Sequence, residues 1–326
     1  MKISLIIPVY NAETTLPATL ESIRTQRYRD FEVIFAEDAG TDGSVSMLET
    51  FCTDSGLSCK LLRAEKNGGA AAARNRALEA AEGEYLAFAD ADDLLDPGML
   101  ELTAAAVEAS DQPVDIVGWD WTLGFNQDGR YMRQADYGMA EEALRNLMGG
   151  TMRWNLWLFL VRREIIEQNN IRFIPGSDIG EDMQFMLRAF LYANRVVQLH
   201  ESLYRYNAVS STSISRQFSP EKRAQIETNF REVERSFSGS DFLQKHPDAL
   251  TDLKLYLKRP MLISPDRKDY ETWYSWFPET NVRAKEKAEL PTHIWFLQRM
   301  AARRCWIGVK LYYLLIHKVV YGILYR

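Results

Sequence analysis

The chain has 326 residues, 46% of them hydrophobic and 26% charged, the proportions of a soluble globular protein and not of a disordered or collagen-like one. Lys and Arg number 39 against 45 Asp and Glu, a formal charge of −6, which argues against nucleic acid as a partner. Three cysteines, Cys52, Cys59 and Cys305, are too few and too scattered for a zinc site or a disulfide framework, and predict a reducing, cytoplasmic setting.

The run Ile3–Val9 is apolar and β-branched, which predicts a first strand buried on both faces; Pro8 and Asn11 stop it short of a signal peptide. Leu16, Leu20 and Ile23 follow at helical spacing. A second strand is predicted over Phe31–Ala36, a second helix over Ser44–Cys52, a third strand at Leu61–Leu62 and an alanine-rich helix over Ala70–Ala81. Glu84–Ala89 reads as a fourth strand and Val114–Trp119 as a fifth, with a helix between them capped by Asp96 and opened by Pro97. This alternation predicts an α/β fold with a mostly parallel sheet. Beyond Trp119 come a hairpin around Asp128-Gly129, a helix from Glu181, short strands at Val196–Leu199 and Leu203–Tyr206, and helices after Pro220. The expected division is a catalytic domain over 1–218, with halves meeting near 120, and a helical region over 219–326.

In such sheets ligands sit beyond the carboxyl ends of the strands. Those positions hold Pro8-Val-Tyr10-Asn11-Ala-Glu13, then Glu37-Asp38 with Gly40-Thr-Asp42-Gly43, then Asn67-Gly68-Gly69 with Arg74-Asn75, then Asp90-Ala-Asp92-Asp93. Alternate carboxylates in Asp90-Ala-Asp92 suit a hard divalent cation and a diphosphate, or else Asp92, Asp93 and Asp96 simply cap the next helix. Arg74 offers a fork for phosphate, or is a solvated helix residue. Glu181-Asp182 is a helix start, with Asp182 the base if one is needed. No G-x-x-x-x-G-K-[ST] or G-x-G-x-x-G motif occurs, so neither a P-loop nor a dinucleotide site is indicated. Trp154, Trp157 and Tyr192 read as core or as a stacking platform for sugar. A phosphatase of the haloacid dehalogenase type would want Thr or Val where Leu94 stands. A nucleotidyltransferase would want glycines and basic residues in Pro8–Glu13.

Taken in order, Ile6-Ile-Pro8-Val-Tyr10-Asn11, Glu37-Asp38-x-Gly40-Thr-Asp42-Gly43-Ser44, Asn67-x-Gly69 with Ala73-Arg74-Asn75, Gly83-Glu-Tyr85 before Asp90-Ala-Asp92-Asp93, and Gly180-Glu181-Asp182 resemble glycosyltransferase family 2 over about 1–215. The resemblance implies the GT-A fold and inverting transfer from a UDP-sugar. It implies that Pro8, Tyr10, Asp38 and Asn67 hold the uridine, that Glu13 belongs to the same donor-binding set, and that Arg74 reaches the nucleotide or diphosphate. Asp90 then contacts the ribose or metal-bound water, Asp92 ligates Mn²⁺ or Mg²⁺, and Asp182 is the general base. His200 stands where some relatives carry a metal-binding His, and Tyr204-Arg205-Tyr206 with Ser211–Ser215 resembles a segment over the diphosphate. Ala39 replaces the usual Gly, and the Gln-x-x-Arg-Trp motif of processive members is missing, which implies one sugar per encounter. The non-enzymatic alternative is a catalytically silent sugar-nucleotide binder or scaffold subunit.

From Pro291 to Arg326 the chain carries six basic side chains and no acidic one, which leaves −12 on the rest. On a single helix, Arg299, Arg303, Lys310 and His317 fall within about 40° of each other, against a wide apolar face. That pattern predicts a helix at an inner-leaflet membrane interface on the cytoplasmic face, or else one docked on the protein's own core, and the family resemblance implies a glycan or polyprenyl-diphosphate-linked acceptor there.

Overall fold

The computed structural model describes residues 1–124, 129–207, 219–286 and 292–316. It forms two compact units, one of Met1–Leu144 with Met152–Ser238 and one of Arg145–Thr151 with Gly239–Arg326. The first unit opens with β1 (Ile3–Val9), α1 (Leu16–Arg24), β2 (Phe31–Glu37), α2 (Ser44–Asp54), β3 (Ser58–Arg63), α3 (Gly69–Ala80) and β4 (Tyr85–Phe88). Then follow β5 (Leu94–Leu95), α4 (Met99–Glu108), β6 (Ile116–Leu123), β7 (Arg130–Met132), α5 (Ala140–Gly149, counted with the second unit from Arg145), β8 (Phe159–Arg162), α6 (Arg163–Gln168), α7 (Glu181–Tyr192), β9 (Val196–Tyr206) and α8 (Pro220–Phe237).

The strands form one sheet in the order β3-β2-β1-β4-β8-β6-β9-β5, with β7 paired to β6. Ile3, Leu5, Ile6, Ile7, Val33, Ile34 and Phe35 are wholly buried, as uninterrupted apolar strands demand. The parallel expectation holds for β3-β2-β1-β4 and needs correcting beyond it. β8 enters antiparallel to both β4 and β6, so parallel and antiparallel pairings are equal in number among the described residues. The two short strands expected near 200 are one strand, β9, whose parallel register with β6 slips around Asp120. Helix α4 starts at Met99, with Asp96 Oδ1 accepting from Gly98 N at 2.8 Å two residues ahead of it. The tip of the β6–β7 hairpin, with Asp128, lies outside the described residues, as does Ser211–Ser215.

Two devices, a buried polar cluster and a disulfide, tie this half together. Ser4 Oγ donates to Glu32 Oε1 (2.7 Å) and accepts from Gly83 N (2.8 Å), and Lys60 Nζ pairs with Glu32 at 2.9 Å. A Cβ on Gly83 would run into the Ser4 amide and sit 2.7 Å from Ser4 Oγ. Gly83→Ala is therefore expected to destabilise the fold by about 1–3 kcal/mol, since backbone has to move; urea denaturation reading less than 0.5 kcal/mol would contradict it. Secondly, Cys52 and Cys59 are disulfide-bonded, joining the end of α2 to the start of β3. This corrects the expectation of reduced thiols: the turn at Gly56 brings the two Cα atoms to 5.2 Å, within bridging reach.

The expected cut near Ser219 falls at the N-cap of α8, and α8 packs on α7 inside the first unit. The second unit contains α9 (Asp241–Lys245), α10 (Ala249–Lys258), α11 (Arg267–Ser275), α12 (Thr280–Arg283), α13 (Thr292–Ala302) and α14 (Trp306–Leu315). Lys258 is fully buried there. Its ammonium donates to Trp276 O, Phe277 O and Asn281 Oδ1 and lies 4.0 Å from the Trp273 ring centre, while burial pulls its pKa down to about 7. The expected single tail helix is instead two. The chain turns at Arg303–Cys305, where Arg304 adopts a φ of 55°, so the stripe of Arg299, Arg303 and Lys310 is not continuous. Leu297 and Val309 are buried within the unit, whereas Phe296, Ile307, Leu311 and Leu315 are exposed. His317, Lys318 and the remainder of the tail lie outside the described residues. Among the described residues no helix is long and apolar enough to cross a membrane.

Candidate active site

Parallel pairing sets the ends of β1, β2 and β4 side by side, with Val9 opposite Glu37 and Ile6 opposite Phe88. The loops that follow are laced together. Thr41 N donates to Asn11 Oδ1 (2.8 Å), Glu13 N to Asp42 Oδ2 (2.9 Å), Gly43 N to Glu13 Oε2 (3.0 Å) and Ala12 N to Ser44 Oγ (2.9 Å). Glu13 thus holds the loop after β2 in shape. Asp38 is buried, and its Oδ2 accepts from Gly68 N (3.0 Å) and Gly69 N (2.7 Å), while Arg76 Nη2 lies 3.2 Å from its Oδ1. Asn67 Nδ2 reaches Asp38 O at 3.3 Å. Tyr10 is 53% exposed and Pro8 partly so, leaving both open to a planar ligand.

Arg74 is the centre of the acidic group. Its guanidinium is buried and bonds Glu181 Oε1 (2.9 Å) and Asp90 Oδ1 (3.1 Å), with Asp182 Oδ1 at 3.7 Å. The fork that the sequence offers to a phosphate is here turned onto carboxylates from two other elements. Those carboxylates hold the guanidinium's pKa above its ordinary value against the effect of burial. Neighbouring residues of α3 hold the segment that leads into α7. Asn75 exchanges two hydrogen bonds with the Phe173 backbone (2.9 and 3.0 Å), and Ala71 N donates to Asp178 Oδ1 at 2.7 Å. From the other side, buried Asn229 on α8 donates to Ser177 O and Ile179 O, both at 2.9 Å. Gly180 then takes a φ of 82°, a conformation suited to Gly, and the chain enters α7 at Glu181.

Asp182 receives Leu156 N on Oδ2 at 3.4 Å, and its buried Oδ1 accepts no hydrogen bond among the described residues. Burial raises its pKa, Arg74 opposes that, and Asp90 adds to the rise. Glu181 is pushed up to about 8 by burial and by Asp182 beside it. Asp92 rises to about 6 from burial and the charge of Asp90. Asp93 is wholly buried and rises to about 8, accepting from Tyr204 Oη (2.9 Å) and Asn207 N (2.7 Å). The same hydroxyl accepts from Asp90 N at 3.0 Å.

His200 does not fit the role of metal ligand. Its Nδ1 is 2.9 Å from Asp120 Oδ2 and its Nε2 2.7 Å from Asp136 Oδ1, so both ring nitrogens are already bound. Among the described residues no group of three His, Cys, Asp or Glu side chains has the geometry of a metal site. Trp157 is core, stacked on Tyr204 (4.6 Å) and Tyr206 (5.5 Å). Asp178 and Asn229 escaped the sequence reading. Asp93 lay inside a motif, where it looked like a helix cap, and Tyr204 lay in the segment expected over the diphosphate, whereas its side chain is wholly buried.

A mixed α/β sheet of this order, with acidic loops gathered beyond its parallel strands, defines a GT-A-like fold with a candidate sugar-nucleotide site. Residues 4–181 match the family described as Glycosyl transferase family 2, and the chain belongs to that family. Among its relatives is the uncharacterized glycosyltransferase YibD of Escherichia coli (strain K12), 34% identical over 66% of this chain and 63% of YibD. The chain thus spans a little under two thirds of that relative. Another is the poly(ribitol-phosphate) beta-N-acetylglucosaminyltransferase TarS of Staphylococcus aureus (strain Mu50 / ATCC 700699), 29% identical over 63% of this chain and 35% of TarS. The crystal structure of S. aureus TarS 1-349 in complex with UDP-GlcNAc superimposes with a TM-score of 0.71 at 20% identity, covering 98% of this chain and 92% of that one. A mannosyltransferase of Pyrobaculum calidifontis, PcManGT, in complex with GDP-Man and Mn²⁺, gives 0.55 at 19% identity, over 98% and 87%. At these identities the structural likeness establishes the fold.

Proposed function

We propose that the chain transfers a single sugar from a UDP-sugar to an acceptor hydroxyl with inversion at the anomeric carbon. The observation that carries this reading is Asp182 Oδ1: a buried carboxylate oxygen that accepts no hydrogen bond among the described residues and faces the Arg74 guanidinium at 3.7 Å, with its partner oxygen held by a backbone amide. In this reading that oxygen takes the proton of the incoming hydroxyl, and Asp182 is the general base. Exposed Tyr10 and partly exposed Pro8 meet the uridine, with Asn67 and the Asp38 carboxylate forming the floor beneath it.

Asp90 and Asp92, two partly exposed carboxylates on one short loop, are a fitting oxygen set for Mn²⁺ or Mg²⁺. Burial first, and then the charge of Asp90, raise the pKa of Asp92 to about 6, and a bound cation would favour its charged form. With Asp92 as ligand and Asp90 beside it, the ion would neutralise the diphosphate of the departing UDP. One displacement gives a β-linked product from an α-linked donor. The UDP-GlcNAc complex of TarS makes that sugar nucleotide the first donor to test.

The exposed Phe296, Ile307, Leu311 and Leu315, beside the basic tail, suit the surface of an anionic inner leaflet, where a glycan or polyprenyl-diphosphate-linked acceptor would lie. In this reading the protein is peripheral on the cytoplasmic face. Incubating the full chain with UDP-GlcNAc, UDP-glucose or UDP-galactose and Mn²⁺ should release UDP with water taking the sugar, and proton NMR recorded before mutarotation should find the inverted anomer. Asp92→Asn should lose most of the thermal shift that donor plus Mn²⁺ produces. Retention of configuration would refute the single displacement, and UDP binding without turnover of any donor would favour the silent binder instead.

A further inference from the structure

Tyr204 is wholly buried on β9, and the chemistry above makes no use of it. Its hydroxyl is saturated: it accepts from Asp90 N (3.0 Å) and donates to Asp93 Oδ2 (2.9 Å). Asp93 is anchored in turn, by Asn207 N on Oδ1 (2.7 Å) and by Thr19 Oγ1 on its carbonyl (2.9 Å). The other end of Tyr204 is equally constrained. Its ring lies on Trp157 with centroids 4.6 Å apart and planes 9° from parallel, and Trp121 meets the far edge of Trp157 at 5.8 Å. Trp157 sits in the short turn Leu156–Leu158, and Leu156 supplies the one amide that bonds Asp182.

A single rigid side chain therefore reaches from the backbone of the Asp90–Asp92 loop to the turn that holds the base. We propose that Tyr204 is a positioning residue that sets the spacing between the donor-binding carboxylates after β4 and Asp182 at the start of α7. The proposal rests on the sugar-transfer reading. An aromatic ring has only two rotatable bonds, and a ring held by a flat stack and two hydrogen bonds has little freedom to let the loop drift. Displacing a reacting group by about 1 Å costs on the order of 10²-fold in rate without necessarily weakening binding.

The test uses Tyr204→Phe in the full chain, which keeps the stack and removes only the hydroxyl. Turnover of UDP-GlcNAc should show kcat lowered roughly 10- to 100-fold with donor KM within about twofold of wild type. Hydrogen–deuterium exchange should be faster in the peptide containing Asp90. Asp93→Asn keeps an oxygen to accept from Tyr204, and should fall between Tyr204→Phe and wild type. A cooperative thermal melt on each variant separates misplacement from unfolding. Wild-type kcat in Tyr204→Phe, unchanged exchange at Asp90, or a rate loss matching only the unfolded fraction would overturn the proposal. Asp182→Asn separates the two ideas. An inert Asp182→Asn beside a fully active Tyr204→Phe removes the strut and leaves the transfer reading. The reverse pattern removes the base and leaves the strut.

Discussion

Asp182→Asn is expected to reduce kcat by about 10²- to 10⁴-fold, the range by which general-base assistance accelerates proton transfer. Asn has nearly the same shape, and its carbonyl oxygen can still accept from Leu156 N, so the turn at Leu156 should persist. What disappears is the charge and with it the basic oxygen. Donor affinity, read by titration calorimetry with UDP, should change by less than about threefold, because this residue acts on the acceptor side. A variant that keeps more than half of wild-type kcat would remove Asp182 from the mechanism. Loss of UDP affinity in step with kcat would place it in the donor site instead.

Arg74→Met should be the most damaging substitution for stability. It leaves Asp90, Glu181 and Asp182 around an uncharged side chain, and breaking a buried ion pair by removing one partner costs roughly 3–5 kcal/mol. The loss should depend on pH. In the native protein Glu181 titrates near 8, against an ordinary 4.5, because burial and Asp182 disfavour its charge. A carboxyl raised on folding contributes stability that is present in full below its unfolded pKa of 4.5 and is lost as pH rises through 8. Without Arg74 to offset them, Glu181 and Asp182 should both rise further, so the variant should recover part of its deficit between pH 8 and pH 5.5. Urea unfolding at the two pH values reads this directly. An equal deficit at both would mean that Arg74 acts through packing on Phe173, 5.7 Å below its guanidinium, and not through charge.

Local chemistry was legible wherever one short stretch decides the outcome. The buried strands Ile3–Val9 and Phe31–Glu37 and the alanine-rich α3 follow from apolar runs and helix propensity. The site loops were legible because polar residues just after a buried strand have few structural reasons to be there. The acids that Arg74 meets were not legible because its neighbours in sequence, Ala73 and Asn75, give no sign of them. Glu181 is 107 residues away. Phe159–Arg162 is a four-residue run whose antiparallel place between β4 and β6 is fixed only by partners far along the chain. His200 looked available for a cation until Asp120 and Asp136 took both of its nitrogens. The break in the tail turns on a positive φ at Arg304, which no residue type there announces.

The amino-acid order by itself thus determined the alternation of strand and helix, the family, and the set of loops from which a donor site is built, because burial periodicity and loop polarity are properties of neighbouring residues. Tertiary structure decided the mixed half of the sheet, the orientation of Arg74 toward carboxylates, the clamp of α3 and α8 on the entry to α7, and the span of Tyr204. Those depend on which distant groups share one buried volume, where desolvation and Coulomb forces are strong enough to choose among partners that look equivalent along the chain.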